Sequence, residues 1–386
     1  MKIKKFKVAR VSTVPFFILT QLKSQLENLF LSNAAITVIA SRDEMSSLLD
    51  KSEFFNYIGV NIEREINLPK DIVSLFELVR IFRNSNFEII HSTTPKAGLL
   101  CAIAGFIARN PVRLHTFTGQ TWTVATGFKR YVLKLCDKVI GILNTHCYAD
   151  SSTQMDFLVS QGVIKSDKIS VLGSGSLAGI DLDRFDPVRY SQTDLCKLRS
   201  EIGIPLDSKI LLFVGRITLD KGISELIQAF SSIVKNDESV YLVLVGPYEP
   251  SGKEIINQIS DQEVIRKIKL VGYTDEPEIY MALADLLCLP SYREGFGTVV
   301  IEAAAMCTPT VGTNIYGLAD SIVDGRTGML VAVNDAASLE KAITNILNDP
   351  QLLSSMAIAA RNRAVSEFDS KVCSQLLLLE YERFLK

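Results

Sequence analysis

Short apolar runs alternate with stretches of helical periodicity along the whole chain. In the first half the predicted strands are KVARVST (7–13), AITVIA (35–40), FEIIHST (87–93), VRLHTFT (112–118) and a short segment that ends at Asp150. Segments 20–31, 72–83 and 97–108 between them carry apolar residues in helical patterns. Strands that alternate with helices form parallel sheets with helices on both faces, so this half predicts a Rossmann-like domain.

The same rhythm restarts in the second half. Its predicted strands are KILLFVGR (209–216), SVYLVLVG (239–246), KIKLVGY (267–273), DLLCLPS (285–291) and TPTVGT (308–313), and GISELIQAFSSIV (222–234) is an amphipathic helix. The pattern is interrupted between Asp186 and Ser208. We therefore predict an α/β protein of two doubly wound domains that face a cleft, residues 1–190 and 191–366, followed by a helix over 367–386.

Composition narrows the class of protein. The chain has 386 residues, 47% hydrophobic and 22% charged, with a net charge of −2. This is typical of a globular chain of two domains, and no global positive field recruits nucleic acid. The seven cysteines show no CxxC spacing, which favours a reducing cytosol over a disulfide framework or a zinc site. The apolar run LLCAIAGFIA is half the ~20 residues of a membrane span, and the basic, then apolar N-terminus is interrupted by polar residues, so we expect no signal peptide.

Two glutamates bracket the segment EGFGTVVIE, which follows a predicted strand. Glu294 falls in the loop at the strand end, and Glu302 falls about two turns into the next helix by the helical repeat of ~3.6 residues. Carboxylates can accept hydrogen bonds from sugar hydroxyls, and a helix N-terminus preceded by glycines can face a phosphate. The alternative is that Glu294 is an ordinary loop residue and Glu302 a solvated helix residue, both without a function.

A pair of cations follows the first strand of the second half. The strand ends at Gly215 and Arg216, and Lys221 and Gly222 open the next helix. Arginine can bind two oxygens at once and lysine supplies a point charge, so together with a helix N-terminus they predict an anion site. A helix-capping loop with solvated charges is the other interpretation.

The two motifs together resemble a known family. VGRITLDKG, followed about 80 residues later by PSYREGFGTVVIEAAAMCTPTVGT, is similar to the C-terminal signature of glycosyltransferase family 4. Its members are retaining enzymes of the two-domain GT-B fold. The segments IIHSTTPKAGLL (89–100), RLHTFTGQTW (113–122) and VLGSGSLAGIDLDRF (171–185) extend the resemblance over nearly the whole chain, towards the branch that builds bacterial O-antigen and capsule units.

The resemblance implies a role for each motif residue. Arg216 and Lys221 would hold the donor diphosphate, and Glu294 would contact the donor sugar. Thr298 would approach the phosphate and Glu302 the ribose. Further donor contacts would come from Gly215, Gly246, Gly272, Tyr273, Gly295, Phe296 and Gly297. The C-terminal helix is expected to cross back to the first domain.

One family position departs from the pattern. Many relatives carry a histidine immediately before the glycine of LHTFTG, where this chain has Thr118, and His115 stands three residues earlier. Residues i and i+3 of a strand point to opposite faces, so His115 replaces that histidine only if the chain turns. Both remain catalytic candidates, and a structural histidine is the alternative for His115.

The Asp181-Leu182-Asp183 motif resembles the metal-binding pair of another glycosyltransferase class. Arg216 and Lys221 already offer the positive charge that a metal would supply, so we expect no metal and no other cofactor beside the nucleotide-sugar substrate.

A basic amphipathic helix is predicted over 128–140. Phe128, Val132, Leu135 and Val139 form its apolar stripe, flanked by Lys129, Arg130, Lys134 and Lys138, with Trp122 nearby. The stripe fits a core-facing helix, which we favour, or a helix on an anionic bilayer.

These features predict a retaining, metal-independent glycosyltransferase on the cytoplasmic face of the inner membrane. It would move a hexose or N-acetylhexosamine from a UDP-linked donor to a polyprenyl-diphosphate-linked saccharide in surface polysaccharide synthesis, with no nucleic acid partner. A UDP-sugar epimerase on the same fold and an inactive nucleotide-sugar-binding protein are the alternatives.

Overall fold

Each half of the chain folds around a fully parallel sheet. The computed structural model describes residues 6–386, which divide into two units: the chain up to Gly179 together with Phe368–Lys386, and Ile180–Glu367. The prediction of two doubly wound, Rossmann-like domains is confirmed. The first division lies at Gly179, earlier than the predicted 190/191, and the second lies one residue beyond the predicted 366/367.

The first unit contains a seven-stranded sheet in the order β3-β2-β1-β4-β5-β6-β7. Its strands are β1 (Lys7–Val11), β2 (Ala35–Ala40), β3 (Asn56–Gly59), β4 (Ile89–Thr93), β5 (Val112–Phe117), β6 (His146–Ala149) and β7 (Ile169–Val171). Successive residues of a strand point to opposite faces. Val8 accordingly packs in one apolar core and Ala9 in the other, so both faces of the sheet are covered.

Helices connect these strands. They are α1 (Pro15–Phe17), α2 (Lys23–Leu31), α3 (Ser46–Asp50), α4 (Leu68–Ser85), α5 (Pro95–Ile107), α6 (Gly127–Leu143) and α7 (Ser152–Ser160), with a π-helical turn Ile18–Leu22 and 3₁₀ turns Thr121–Thr123 and Ser166–Lys168. Helix α4 begins where the Asn67 side chain accepts a hydrogen bond from the Lys70 amide and ends at Asn86 in the left-handed conformation. Both are ordinary helix start and stop signals.

The second unit contains a six-stranded sheet in the order β10-β9-β8-β11-β12-β13. Its strands are β8 (Lys209–Val214), β9 (Val240–Val245), β10 (Ile268–Gly272), β11 (Leu286–Leu289), β12 (Thr310–Thr313) and β13 (Gly328–Val331). The central strands are buried over nearly their whole length, as the apolar sequences KILLFV and LLCL require of parallel strands covered on both faces.

The helices of this unit are α8 (Gln192–Glu201), α9 (Ile223–Asn236), α10 (Pro250–Asn257), α11 (Gln262–Lys267), α12 (Pro277–Leu283), α13 (Thr298–Ala305), α14 (Leu318–Ser321), α15 (Ala336–Leu347) and α16 (Pro350–Glu367), with 3₁₀ turns Pro187–Arg189 and Leu219–Lys221. Residues 180–190 belong to this unit because Arg184 pairs with Glu278, at 2.8 Å, and Asp186 pairs with Arg361, at 3.0 Å.

The last helix, α17 (Ser370–Phe384), returns to the first unit, as predicted. Leu377 and Tyr381 are buried in the core formed by β1, β2 and α2. The C-terminal end of the chain is therefore part of the first domain's core.

A buried arginine ties α17 to that sheet. Arg10 on β1 is 1% exposed, and no ion pair to it lies within residues 6–386. Its Nη1 contacts His91 Nδ1 at 2.6 Å and donates to the Tyr381 hydroxyl at 2.9 Å, and its Nη2 donates to Gln25 Oε1 at 3.1 Å. Since burying a cation is costly without hydrogen-bond partners, these neutral acceptors hold Arg10, α2 and α17 together.

His91 has to be neutral for this arrangement. Its Nδ1 faces the Arg10 cation, so the ring proton belongs on Nε2, which lies 2.8 Å from the Thr116 hydroxyl. Burial first, and then the charge of Arg10, keep the pKa of His91 well below its ordinary value.

Two further facts concern the cysteines and the helices. Each of the seven cysteines is a free thiol. Within residues 6–386, no helix combines the length and the apolar character that crossing a bilayer requires.

We expect Tyr381→Phe to lower the free energy of unfolding of the first unit by about 1–3 kcal/mol, because it removes one of the acceptors of a buried cation. Urea denaturation followed by the fluorescence of Trp122, the one tryptophan of the chain, measures this in the first unit. Tyr131→Phe is the matched control, since that tyrosine is exposed. Equal stabilities of the two variants would contradict the role of the network.

Candidate functional site

The strand order of the second unit reverses at β8. This strand pairs with β9 on one side and with β11 on the other. The connections that leave β8 and β11 therefore diverge, which opens a crevice at the carboxyl ends of these two strands, where ligands of such sheets bind. Both predicted motifs lie there: Arg216 and Lys221 follow β8, and Glu294 follows β11.

Lys221 and Glu294 form an ion pair that joins the two loops. Lys221 Nζ lies 2.5 Å from Glu294 Oε1, and both side chains are largely buried. Gly222 makes the approach possible. Its φ is +70°, and a Cβ there would come within 2.1 Å of the Pro290 carbonyl oxygen. A side chain at this position would separate the loops, so glycine is required for the pair.

Arg216 is held by a second set of carboxylates. Its Nη1 lies 2.5 Å from Glu249 Oε1 and its Nη2 lies 3.7 Å from Asp220 Oδ2, and Arg293 also contacts Asp220, at 3.2 Å. Burial acts to raise the pKa of Asp220, but the Thr218 hydroxyl and the neighbouring cations outweigh it, so the pKa is lowered. Asp220 thus stays charged.

The N-terminus of α13 lies in the same loop. Gly297 is its N-cap and Thr298 its first residue, while Gly295 and Phe296 are buried beneath. Glu302 is the fifth residue of the helix, only just past the first turn and not two turns in as predicted. The helix starts at Thr298, and Gly297 before it has a φ of +80°, in the left-handed region.

Glu302 is a partly buried carboxyl group. Burial, with a smaller contribution from Glu278, raises its pKa to about 7, although Arg184 opposes this. Arg184 itself donates to both carboxylate oxygens of Glu278, at 2.9 and 2.8 Å. Glu302 therefore exchanges a proton near neutral pH and can either donate or accept a hydrogen bond.

Three of the glycines that were predicted to contact the donor occupy neighbouring strand ends. The Gly215 amide donates to Val245 O at 2.9 Å, and the Gly246 amide donates to Gly272 O at 2.7 Å. The Tyr273 ring is exposed, with its hydroxyl on Asp275 Oδ1 at 2.6 Å. These positions form one row at the carboxyl ends of β8, β9 and β10.

His115 lies elsewhere, in the first unit. It is 1% exposed, its Nδ1 lies 3.0 Å from the Ser92 hydroxyl, and its ring packs edge-on against Phe117. A Cβ on Gly98 would come within 2.4 Å of the His115 ring, so α5 needs a glycine at this position to pack against the ring. Burial lowers the pKa of His115 to about 3, although the Ser92 hydrogen bond opposes this. These contacts favour the structural alternative for His115.

Thr118 directly follows β5, partly exposed. Its carbonyl oxygen accepts hydrogen bonds from Gln120 Nε2 at 2.6 Å and from Gln154 Nε2 at 2.8 Å. Gln154 Oε1 in turn accepts from the Asp150 amide, at 2.8 Å. A polar cluster thus forms at the carboxyl ends of β5 and β6.

Sequence reasoning missed the functional potential of Asp150. Its carboxyl group is buried, and Oδ1 has no hydrogen-bond partner within residues 6–386. Burial raises the pKa of Asp150 to about 8. Only its place directly after a strand could have indicated it.

Sequence reasoning also missed Glu249, Asp220 and Arg293, because nothing in their spacing shows that they converge on Arg216.

The Asp181-Leu182-Asp183 motif has a local structural role. Asp181 Oδ1 accepts hydrogen bonds from the amides of Asp183, at 3.0 Å, and Arg184, at 3.2 Å. In the part of the chain that the structure describes, no group of three or more histidine, cysteine, aspartate or glutamate side chains is placed to hold a metal ion.

Sequence comparisons relate the chain to known glycosyltransferases. Residues 196–363 match the family model described as Glycosyl transferases group 1. The chain is 31% identical over 373 residues to the capsular polysaccharide biosynthesis glycosyltransferase CapM of Staphylococcus aureus, covering 95% of this chain and 94% of that protein. It is 25% identical to the UDP-Gal:alpha-D-GlcNAc-diphosphoundecaprenol alpha-1,3-galactosyltransferase of Escherichia coli, over 95% of this chain and 94% of that enzyme.

The fold is also that of a solved structure. The crystal structure of Anabaena Alr3699/HepE in complex with UDP superimposes with a TM-score of 0.81 at 20% identity, covering 98% of this chain and all of the other. At this identity the likeness concerns the fold.

We expect the first unit to lose stability in acid partly through His115. Its pKa in the folded protein is about 3, below the ordinary 6.5, so its contribution is complete above pH 6.5 and is lost as the pH falls. Between pH 6.5 and 5 the loss amounts to about 2 kcal/mol. Urea denaturation read by Trp122 should therefore show a smaller acid destabilisation in His115→Gln than in the wild type. Identical pH dependence would show that His115 already titrates normally.

Proposed function

The chain belongs to the glycosyl transferases group 1 family, and from that premise we propose that it transfers a hexose or N-acetylhexosamine from a UDP-linked donor to a lipid-linked saccharide. The second unit would bind the donor and the first the acceptor. The observation that carries the proposal is the contact between Lys221 and Glu294, which places a cation and a carboxylate together at the strand ends beside the N-terminus of α13.

The two relatives support this choice of substrates. Over 94% of its length, the S. aureus protein is similar to this chain and is named for capsular polysaccharide biosynthesis. The E. coli enzyme, by its name, uses UDP-galactose and a diphosphoundecaprenol-linked acceptor. A nucleotide-sugar donor and a polyprenyl-diphosphate-linked acceptor in bacterial surface polysaccharide synthesis, O-antigen or capsule, fit this chain best.

The cations would act on the leaving group. When the bond from the anomeric carbon to the β-phosphate oxygen breaks, its electron pair stays on that oxygen. Arg216 and Lys221 would stabilise the new charge, an effect often worth several kcal/mol in a site with little water. Both are already oriented by carboxylates, so little reorganisation is needed when the diphosphate replaces part of those contacts.

The acids would position the sugar and the nucleoside. Glu294 would accept hydrogen bonds from donor-sugar hydroxyls, and Glu302, with its pKa near 7, would bind the ribose. The Gly246, Gly272 and Tyr273 row would face the base. The amides at Gly297 and Thr298 would face a phosphate.

We propose retention of configuration. The acceptor hydroxyl would attack the anomeric carbon from the face that the diphosphate leaves, and its proton would pass to the departing β-phosphate oxygen. This route needs no side chain as a base, which suits a chain with Thr118 where relatives have a histidine. The polar cluster of Thr118, Gln154 and Asp150 would then orient the acceptor through hydrogen bonds.

We place the reaction on the cytoplasmic face of the inner membrane. Free thiols, among them the exposed Cys196 and Cys307, suit a reducing compartment. A polyprenyl-linked acceptor stays in the bilayer, so the enzyme must reach it there.

We expect Lys221→Ala, Arg216→Ala and Glu294→Ala each to lower kcat/KM at least about tenfold, because each removes a contact to the donor at the reacting end. The assay follows transfer from UDP-sugars to polyprenyl-diphosphate-linked saccharides. Lys209→Ala is the matched control: Lys209 lies at the opposite end of β8 and forms an ion pair with Asp237, at 3.2 Å.

Incubation with the donor alone tests for the epimerase, and a donor-binding measurement tests for the inactive binding protein. Interconversion of the UDP-sugar without acceptor would identify an epimerase, and donor binding without transfer to any acceptor would identify an inactive binding protein. Wild-type rates in all three site variants would refute the site itself.

Removal of divalent metals tests the role of the cations separately. Because Arg216 and Lys221 supply positive charge to the diphosphate, we expect an excess of EDTA to change the transfer rate by less than about twofold. Loss of activity that Mg²⁺ or Mn²⁺ restores would show that the cations do not suffice.

A further inference from the structure

The outward face of α6 is apolar. Phe128 is 82% exposed, Tyr131 66% and Ile142 70%, and Leu135 is also exposed. Positions 128, 131, 135 and 142 lie on one side of a helix, since they differ by three, four and seven residues. The favoured prediction that the apolar stripe faces the core is wrong for Phe128 and Leu135, which are exposed, whereas Val132 and Val139 are partly buried.

The charges that accompany this face have one sign. Helix α6 carries Lys129, Arg130, Lys134 and Lys138 and a single acid, Asp137. Asp137 is buried and accepts a hydrogen bond from Trp122 Nε1, at 2.7 Å. The charged side chains of α6 that reach solvent are therefore all cations, and Lys129 and Arg130, which follow Phe128 in the sequence, are exposed.

The rest of the unit holds this face in place. Trp122 is buried and stacks on Phe157, with ring centroids 5.3 Å apart, and Lys134 Nζ lies 5.3 Å from the centre of the Trp122 ring. A Cβ on Gly141 would lie 3.1 Å from Val163 O, so the helix packs closely on its inner side. Trp122 thus anchors α6 from within and is not itself a surface contact. The apolar face points outward because the inner side is already packed.

Helix α4 offers a contrast within the same unit. It exposes Ile72 and Phe76, the latter by 71%, but its charges are mixed. Lys70 pairs with Glu63, Asp71 pairs with Lys96 at 2.6 Å, and Glu77 is exposed. An exposed apolar surface alone does not select a partner, whereas an apolar stripe flanked only by cations fits an anionic bilayer.

We propose that the outward face of α6 docks on an anionic lipid bilayer, with Phe128, Tyr131 and Leu135 in the headgroup region and Lys129 and Arg130 on lipid phosphates. Aromatic side chains favour that region, and each cation near an anionic surface strengthens binding about fivefold. The purpose of this docking rests on the proposed function, because a lipid-linked acceptor has to be reached at the membrane. The surface itself is independent of that function.

Vesicle sedimentation of the full chain tests the surface without donor or acceptor. We expect the wild type to bind phosphatidylcholine vesicles that contain phosphatidylglycerol, to bind pure phosphatidylcholine much more weakly, and to be released by high salt. Phe128→Ser combined with Tyr131→Ser should weaken binding at least about tenfold, and Lys129→Ser combined with Arg130→Ser about 25-fold. The matched control is Phe76→Ser on α4, which should bind like the wild type.

Other outcomes would overturn the proposal. They are absence of wild-type binding to the anionic vesicles, binding that the α6 variants retain, or an equal loss in Phe76→Ser. If the wild type sediments as a dimer without vesicles and Tyr131→Ser makes it a monomer, the face joins two copies of the chain instead. All the substituted side chains are exposed, so we expect the variants to fold, and circular dichroism checks this. Failure of this proposal is distinguishable from failure of the proposed function, because vesicle binding can be lost while glycosyl transfer to a soluble acceptor persists.

Discussion

The parallel pairing of β8 with β11 is the constraint from which the candidate site follows. These strands are neighbours in the sheet although some 70 residues separate them in sequence, and the chain leaves them in opposite directions. Any residue directly after either strand therefore lies at the same edge of the sheet. The ion pair of Lys221 with Glu294 spans this edge, and Gly222 permits the close approach to Pro290 that the pair requires.

The cations Arg216, Lys221 and Arg293 at this edge of the sheet each have a carboxylate partner. Arg216 is shared by Glu249 and Asp220, Arg293 also contacts Asp220, and Lys221 has Glu294. A bound diphosphate would compete with these carboxylates for the cations. This competition lowers the net free energy gained on binding. The carboxylates nevertheless keep the cations oriented before a donor binds, and a preorganised site of this kind would accelerate the reaction. Arg10 in the first unit differs, since its hydrogen-bond partners within residues 6–386 are the neutral side chains of His91, Tyr381 and Gln25.

The sequence predicted the interior strands of both sheets and, of the four edge strands, β10 alone. The strands at 35–40, 209–214 and 240–245 are continuous apolar runs, and parallel strands buried on both faces have this pattern. Strands β3, β7 and β13 were not predicted. Each lies at an edge of its sheet, is three or four residues long and is only partly buried. An edge strand has one neighbour and fewer apolar contacts, so its sequence carries little signal.

Local sequence likewise could not decide which way α6 faces or what surrounds His115. The apolar stripe of α6 is real, but the core contact of the helix is made by Ile140 and Gly141, while an acid, Asp137, is buried by its bond to Trp122. His115 is enclosed because Gly98, on a neighbouring helix, leaves room for its ring. Such contacts depend on the packing of distant segments. Sequence reasoning could predict the group of Gly215, Arg216, Lys221 and Glu294, because the strand ends of a parallel sheet share one edge.

Calorimetric titration of UDP and UDP-glucose tests most directly whether Lys221 holds the diphosphate while Glu294 orients the sugar. The account predicts that Lys221→Met weakens both ligands about tenfold or more. Glu294→Gln should bind UDP at least as tightly as the wild type does, because Lys221 loses its internal partner, and should bind UDP-glucose more weakly. UDP affinity that is unchanged in Lys221→Met, or lowered by Glu294→Gln as much as that of UDP-glucose, would contradict this division of roles.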